Sequence, residues 1–189
     1  MFPKLYIYDA SSEEDRDQAA IRFDDDDNVV YLGATSKTHL LQELNRHVIA
    51  RSYFSRVLVQ THGVPGAIMI NDKSIWDITL KSDFAGGGFH RLFPHYTIIY
   101  FDGCNCAKGS LGDGFLEAVG QIFLRNAGGE VRGWTSYGYG ITWDVPFIGG
   151  HTIHFSGEAK TAYFRPGGVS FVPPRVKVEK EPIEHGFKI

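Results

Sequence analysis

Cysteine is nearly absent: this chain of 189 residues has two, Cys104 and Cys106, with one residue between them. A disulfide at that spacing is awkward, so no covalent staple is expected and a reducing compartment is the natural setting. An excess of positive charge is also missing. Nineteen Lys and Arg stand against 22 Asp and Glu, a net charge of −3, which gives no electrostatic reason to expect nucleic acid. Aromatic residues are plentiful but are not interleaved with a basic stripe. No apolar run approaches the roughly 18 residues of a membrane span. Residues 1–9 lack the charged segment and apolar block of a secretory signal, so the expected location is the cytoplasm, or outside by a route independent of a signal peptide. What is present, 43% hydrophobic and 22% charged residues, is the composition of a globular protein with a real core.

The pattern along the chain alternates strand and helix. Residues 5–9 read as a first strand, followed by acidic loop, and residues 24–27 are four successive aspartates before the apolar Val29, Val30, Tyr31 and Leu32. Ser36 is placed to cap a helix over about 37–51, where Leu40, Leu41, Leu44, Val48 and Ile49 recur at helical spacing. A strand ending near His62 follows, which implies a right-handed parallel crossover. Residues 67–70 read as a short strand or hairpin arm, and 73–80 as helical or irregular. Gly86, Gly87 and Gly88 mark a flexible loop, serving either as a connector or as a lid. A central strand over 97–101 leads into the cysteines. Phe115, Leu116, Val119, Ile122 and Phe123 lie on one face of a helix over 111–126, stopped by Gly128 and Gly129, and a strand over 130–136 completes a βαβ unit. Beyond Tyr137 the texture becomes Gly- and Pro-rich with short alternating runs, as in β-hairpins at a sheet edge. The expectation is one domain over 1–189: a three-layer αβα sandwich with a mainly parallel central sheet (core about 5–137) and a β-rich C-terminal extension over 138–189.

Two stretches carry the chemistry. Val57-Leu58-Val59-Gln60-Thr61-His62-Gly63 and Ile98-Ile99-Tyr100-Phe101-Asp102-Gly103-Cys104 are both β-branched apolar runs that end in a residue able to move a proton or attack a carbonyl. In an open α/β sheet such strands carry no chemistry along their length, and their carboxyl ends open into the ligand crevice. His62 and Cys104 are 104 − 62 = 42 residues apart, which suits one crossover between neighbouring strands. A thiol attacks as thiolate, and an imidazole both helps generate it and returns a proton to the leaving amine. The amides of Gly63 and Cys104 are candidate oxyanion donors, because glycine lets backbone approach substrate without an intervening Cβ.

This order of motifs resembles the caspase-like cysteine peptidases of clan CD. Thr61-His62-Gly63-Val64-Pro65-Gly66 and Gly103-Cys104-Asn105 are similar to a bacterial subset with His-Gly and Gly-Cys-Asn motifs, which includes the self-processing protease domains of large toxins. The resemblance covers about residues 5–136. It implies a caspase-like fold and a thiol endopeptidase with His62 as catalytic histidine, Cys104 as nucleophile and Gly63 in the oxyanion hole. Asp102 resembles the aspartate that metacaspases place before the nucleophile to receive Arg or Lys, and Ser136 falls in the stretch that forms a wall of that pocket. Cleavage after a basic residue is the implied specificity, since a carboxylate favours a guanidinium through paired hydrogen bonds. A protein or peptide substrate is implied, with self-processing among the outcomes, and no cofactor. The chain departs from the caspases in lacking Gln-Ala-Cys and in having the second cysteine.

Each residue also has a bland reading. Asp102 equally suits a loop cap, and Cys106 a small buried residue. A zinc site on Cys104, Cys106 and His62 has poor spacing and no evident fourth ligand. The aspartates at 24–27 offer oxygen ligands for calcium but lack the spacing of an EF-hand loop and suit a solvated turn. His151 and His154, three apart in a strand, fall on opposite faces and do not share a metal. No metal is expected. The alternatives to a peptidase are a non-catalytic caspase-like module that binds in an effector or larger assembly, and an acyltransferase using the same thiolate.

Overall fold

The computed structural model describes residues 2–13, 16, 28–136, 139–144, 151–156, 158–167 and 171–175. In chain order the main elements are β1 (Lys4–Asp9), β2 (Val29–Ala34), α1 (Lys37–Ile49), β3 (Arg56–Gln60), β4 (Gly63–Val64), β5 (Ala67–Ile70), β6 (Lys73–Trp76), β7 (Thr97–Phe101), α2 (Gly109–Phe123), β8 (Gly129–Trp134), β9 (Tyr139–Asp144), β10 (His151–Ser156), β11 (Ala159–Phe164) and β12 (Phe171–Arg175). Seven strands form one sheet in the order β12-β11-β8-β7-β3-β1-β2. From β2 to β8 every pairing is parallel, while β11 lies antiparallel on β8 and β12 antiparallel on β11. The fold is therefore α/β with a mostly parallel central sheet. Of the C-terminal strands, β11 and β12 extend that sheet, and β9 and β10 pair antiparallel by themselves. Lys160, buried on β11, pairs with Asp113 of α2, which ties this strand to the helix packed on the sheet.

Strand alternation sorts the side chains. Leu5 and Ile7 of β1, Val57 and Val59 of β3, and Ile99 and Phe101 of β7 join Leu40 and Leu44 of α1 and Phe115, Leu116 and Val119 of α2 in one buried cluster. The opposite face carries Tyr6, Leu58, Tyr100 and Trp134. Both helices bear on the first face for a topological reason. The crossovers β2-α1-β3 and β7-α2-β8 move in the same direction along the sheet, and right-handedness then puts both on one side. The connection running the other way, from β1 to β2, falls largely outside the described residues, as do the aspartates at 24–27. Fully burying a side chain such as Phe115 or Leu116 stabilises by about 1.5–3 kcal/mol, and truncating Leu116 to alanine costs about 2–5 kcal/mol.

Two expectations change. Residues 73–76 form β6, the third strand of a small meander with β4 and β5, and helical geometry begins only at Asp77. The turn between β5 and β6 is made by Asn71 and Asp72, both left-handed (φ 52° and 56°), the two-residue hairpin geometry that Asn and Asp tolerate. Gly86 to Gly88 are likewise not an open loop. Ala85–Gly87 is a 3₁₀ turn, Gly88 is left-handed, and a second 3₁₀ turn follows at Phe89–Leu92. These turns bury Phe84, Phe89 and Leu92 against the helices, which overrides the local glycine signal.

Candidate active site

The strands β3 and β7 are adjacent and parallel, with Val59 opposite Phe101 as the last paired position. His62 and Cys104 each lie three residues past that pair (62 − 59 and 104 − 101), so one sheet edge presents both. One more ladder bond, from the Asp102 N–H to the Val59 carbonyl at 2.8 Å, carries the pairing to the start of the cysteine loop. Beyond it the two loops touch. A Cβ on Gly63 would sit 2.6 Å from the Cys104 carbonyl oxygen and 2.8 Å from the Gly103 carbonyl carbon, distances that no side chain tolerates. Glycine at 63 is thus required by the approach of the two strand ends, independently of any role toward substrate.

The segment after His62 is fixed from three sides. Met69 N–H donates to the His62 carbonyl at 2.8 Å, and Gly66 N–H donates to the Cys106 carbonyl at 3.1 Å. Asp9, buried at the end of β1, accepts from Asn71 N–H at 2.8 Å and from Ser11 N–H at 2.9 Å, clamping the β5–β6 turn over the carboxyl edge. In the β4–β5 hairpin the bond between residues 62 and 69 makes the Gly63–Ile68 pair the non-hydrogen-bonded kind, which turns the Gly63 N–H away from β5. The His62 side chain is exposed and makes no hydrogen bond or ion pair among the described residues.

The cysteine loop hangs on β8. Asn105 N–H donates to the Ser136 carbonyl at 3.0 Å and Ala107 N–H to the Trp134 carbonyl at 2.9 Å. Below it α2 begins so closely that a Cβ on Gly112 would collide with Ala107. The two thiols have opposite environments. Cys104 is half-buried, whereas Cys106 is fully enclosed, and burial pushes its thiol up to about 12, so Cys106 stays protonated and inert across the neutral range. That contrast leaves Cys104 the more accessible of the two thiols.

Asp102 is half-buried and accepts from Trp134 Nε1 at 2.9 Å. A buried indole N–H needs such a partner, so this carboxylate has a structural duty whatever else it does. Ser136 is brought to the same place: its carbonyl receives Asn105, and its Oγ accepts from Glu158 N–H at 3.1 Å. The structure therefore gathers His62, Gly63, Asp102, Cys104 and Ser136 at one edge. Trp134, Asn105 and Asp9 belong with them; Asn105 entered the sequence reading within the Gly-Cys-Asn run and Trp134 within the pocket-wall stretch, whereas the bonds they and Asp9 make were not evident. Only Asn105, a turn-tolerant residue directly after the cysteine, carried a usable signal.

Other candidates lie elsewhere. His151 and His154 fall on β10, away from the central sheet's pairing. Among the described residues, no cluster of three or more His, Cys, Asp or Glu side chains is arranged to hold a metal, and no helix is long and apolar enough to cross a membrane. A cleft of about 660 Å³ opens at the amino ends of β3, β7 and β8, lined by Arg51, Ser52, Tyr53, His90, Arg91 and Asn126 among others, on the far side of the sheet from Cys104. Comparison of the chain with protein-family models, with curated proteins and with solved structures gives no match.

Proposed function

We propose that this chain is a caspase-like cysteine endopeptidase acting through Cys104 and His62. The observation that supports it best is the packing of Gly63 against Gly103 and Cys104, which places a histidine and a half-buried thiol on abutting loops at the carboxyl edge of a parallel sheet. Cys104 Sγ gives its proton to the His62 imidazole and attacks the scissile carbonyl carbon. The negative charge that forms on the carbonyl oxygen is met by the N–H groups of Gly63 and Cys104. Collapse of this intermediate breaks the C–N bond, the leaving amine takes the proton from His62, and a thioester remains on Cys104. Water, deprotonated by His62, then attacks the thioester and releases the acid and the thiol.

Asp102 contributes selectivity for a basic residue before the cut, with Ser136 beside it on the pocket wall. A charged hydrogen bond is worth about 1.5–3 kcal/mol, or about 10- to 100-fold in preference. The substrate class is protein or peptide, the chain itself included. A non-catalytic binding module is the second reading, favoured by one observation: no described side chain orients the His62 ring. The two are separated by treating the purified protein with iodoacetamide and a panel of Arg-, Lys- and Leu-containing peptides. The peptidase reading expects labelling at Cys104 that depends on His62, and cleavage after Arg or Lys. Equal labelling in the His62→Ala variant, with no cleavage of any peptide or of the chain, leaves only the binding module.

A further inference from the structure

Cys104 and Cys106 are two residues apart, a spacing that in extended chain sends both side chains to one side. Here they part company. Cys104 is half-buried beside Gly63, while Cys106 is fully enclosed, its Sγ only 2.8 Å from where a Cβ on Gly133 would lie. Between them Asn105 is left-handed, with φ 59°. The Cys106 N–H to Gly103 carbonyl bond closes a four-residue turn, Gly103 to Cys106, with Cys104 and Asn105 in its middle. A left-handed third residue is the requirement of a type II turn, and glycine and asparagine are the residues that meet it. The turn is held on both sides of Asn105, through its N–H to Ser136 and through its carbonyl, which accepts from Lys108 N–H at 2.8 Å.

The Asn105 side chain itself does little bonding. Its Oδ1 is buried with no hydrogen-bond partner among the described residues, in a residue 6% exposed. A buried amide oxygen left without a donor is a cost, so a side-chain hydrogen bond through Oδ1 is not what this position gains from asparagine. What it gains is tolerance of a backbone conformation that other L-residues resist.

We infer that Asn105 is a positioning residue whose left-handed backbone leaves Cys104 accessible beside Gly63 and turns Cys106 into the core, and so determines which of two neighbouring thiols reacts. The catalytic consequence rests on the reading of Cys104 as nucleophile, but the geometry concerns thiol exposure alone and holds whether or not the protein turns over.

The test is iodoacetamide labelling of the intact protein, mapped to each cysteine by mass spectrometry between pH 6 and 9, for Asn105→Gly, Asn105→Ala and Asn105→Val. The glycine variant keeps the Cys104 rate within about twofold, keeps its pH midpoint, and leaves Cys106 unlabelled. Alanine lowers the Cys104-to-Cys106 labelling ratio by about 5- to 30-fold, the penalty of the left-handed state, and β-branched valine lowers it further. If the valine variant does not fold, as judged by its thermal melt, the glycine and alanine pair decides. Glycine behaving like alanine overturns the inference, because the side chain rather than the backbone would then matter; so does alanine behaving like the native residue. An unsubstituted protein that shows this labelling pattern but cuts no peptide retires the peptidase reading and leaves the role of Asn105 standing.

Discussion

The two ends of the central sheet are built on opposite plans. At the carboxyl end the loops after β3 and β7 press together until a single Cβ at position 63 would not fit, and backbone bonds lock each loop to a neighbour. At the amino end lies the open cleft of about 660 Å³, where Arg51 and Arg91 have no carboxylate partner among the described residues. Arg125 Nη2 lies 3.5 Å from His90 Nε2, and burial, with the charges of Arg125 and Arg91, holds the His90 imidazole below its ordinary value. An open cleft with arginines thus marks one end, and closely fixed backbone the other. For covalent chemistry the second matters more, since a misplacement of about 1 Å can cost about 100-fold in rate.

Perturbing each end measures how separate they are. The largest effect is expected at the proposed nucleophile: Cys104→Ala loses all iodoacetamide labelling near neutral pH and reduces peptide cleavage by about a thousandfold or more, with an unchanged thermal melt. Residual cleavage at the native rate would falsify the assignment. Next comes Gly63→Ala, which forces its Cβ against the Cys104 carbonyl. It destabilises by about 1–3 kcal/mol, the usual cost of overpacking, and slows labelling of Cys104, both read from melts and labelling rates on one sample. A stable, fully reactive alanine variant would mean that the loops do not meet as described.

A smaller and more selective change follows at Asp102. Asp102→Asn keeps an oxygen to accept the Trp134 N–H, so the fold is retained, while preference for Arg over Leu peptides drops by about 10- to 100-fold. Retained preference assigns Asp102 to Trp134 alone. Cys106 gives a pH-dependent effect. Its thiol is raised in the folded chain from 9.0 to about 12, so between those values the folded state binds more protons than the unfolded one. The contribution of its burial is complete below about pH 9 and lost as pH rises toward 12. Stability measured by denaturant between pH 8 and 10.5 should fall less steeply in Cys106→Ala, and parallel slopes count against the buried thiol. The smallest effect is Arg91→Ala at the amino end. Labelling of Cys104 stays within about twofold, since screened charges on opposite sides of the sheet barely interact, while the His90 titration followed by NMR moves up. A large change at Cys104 would join the two ends.

Much of the architecture was legible because periodicity is a local property. The β-branched runs at 57–59 and 97–101 and the apolar face of α2 appear in the structure close to where their spacing puts them. The errors came where tertiary contacts outweighed local signals. Lys73–Trp76 is a strand because β5 offers it a ladder, and the Gly86–Gly88 turns are shaped by the burial of Phe84 and Phe89. At the site, His62 and Cys104 were legible as the ends of apolar runs. Their partners were not, since the Trp134–Asp102 bond spans 32 residues and the Asn71–Asp9 bond 62, and no window of sequence contains either pair.

The attachment of the cysteine loop to β8 also has a meaning in time. The bonds from Asn105 to Ser136 and from Ala107 to Trp134 join the loop to the end of a strand that is synthesised after it, and Gly63 meets Gly103, 40 positions further on, only once the chain between them has folded back. Such non-local contacts form late. A chain still emerging, or one cut short before residue 134, holds both His62 and Cys104 yet lacks the frame that aligns them, so the thiol is set only when the sheet behind it is complete.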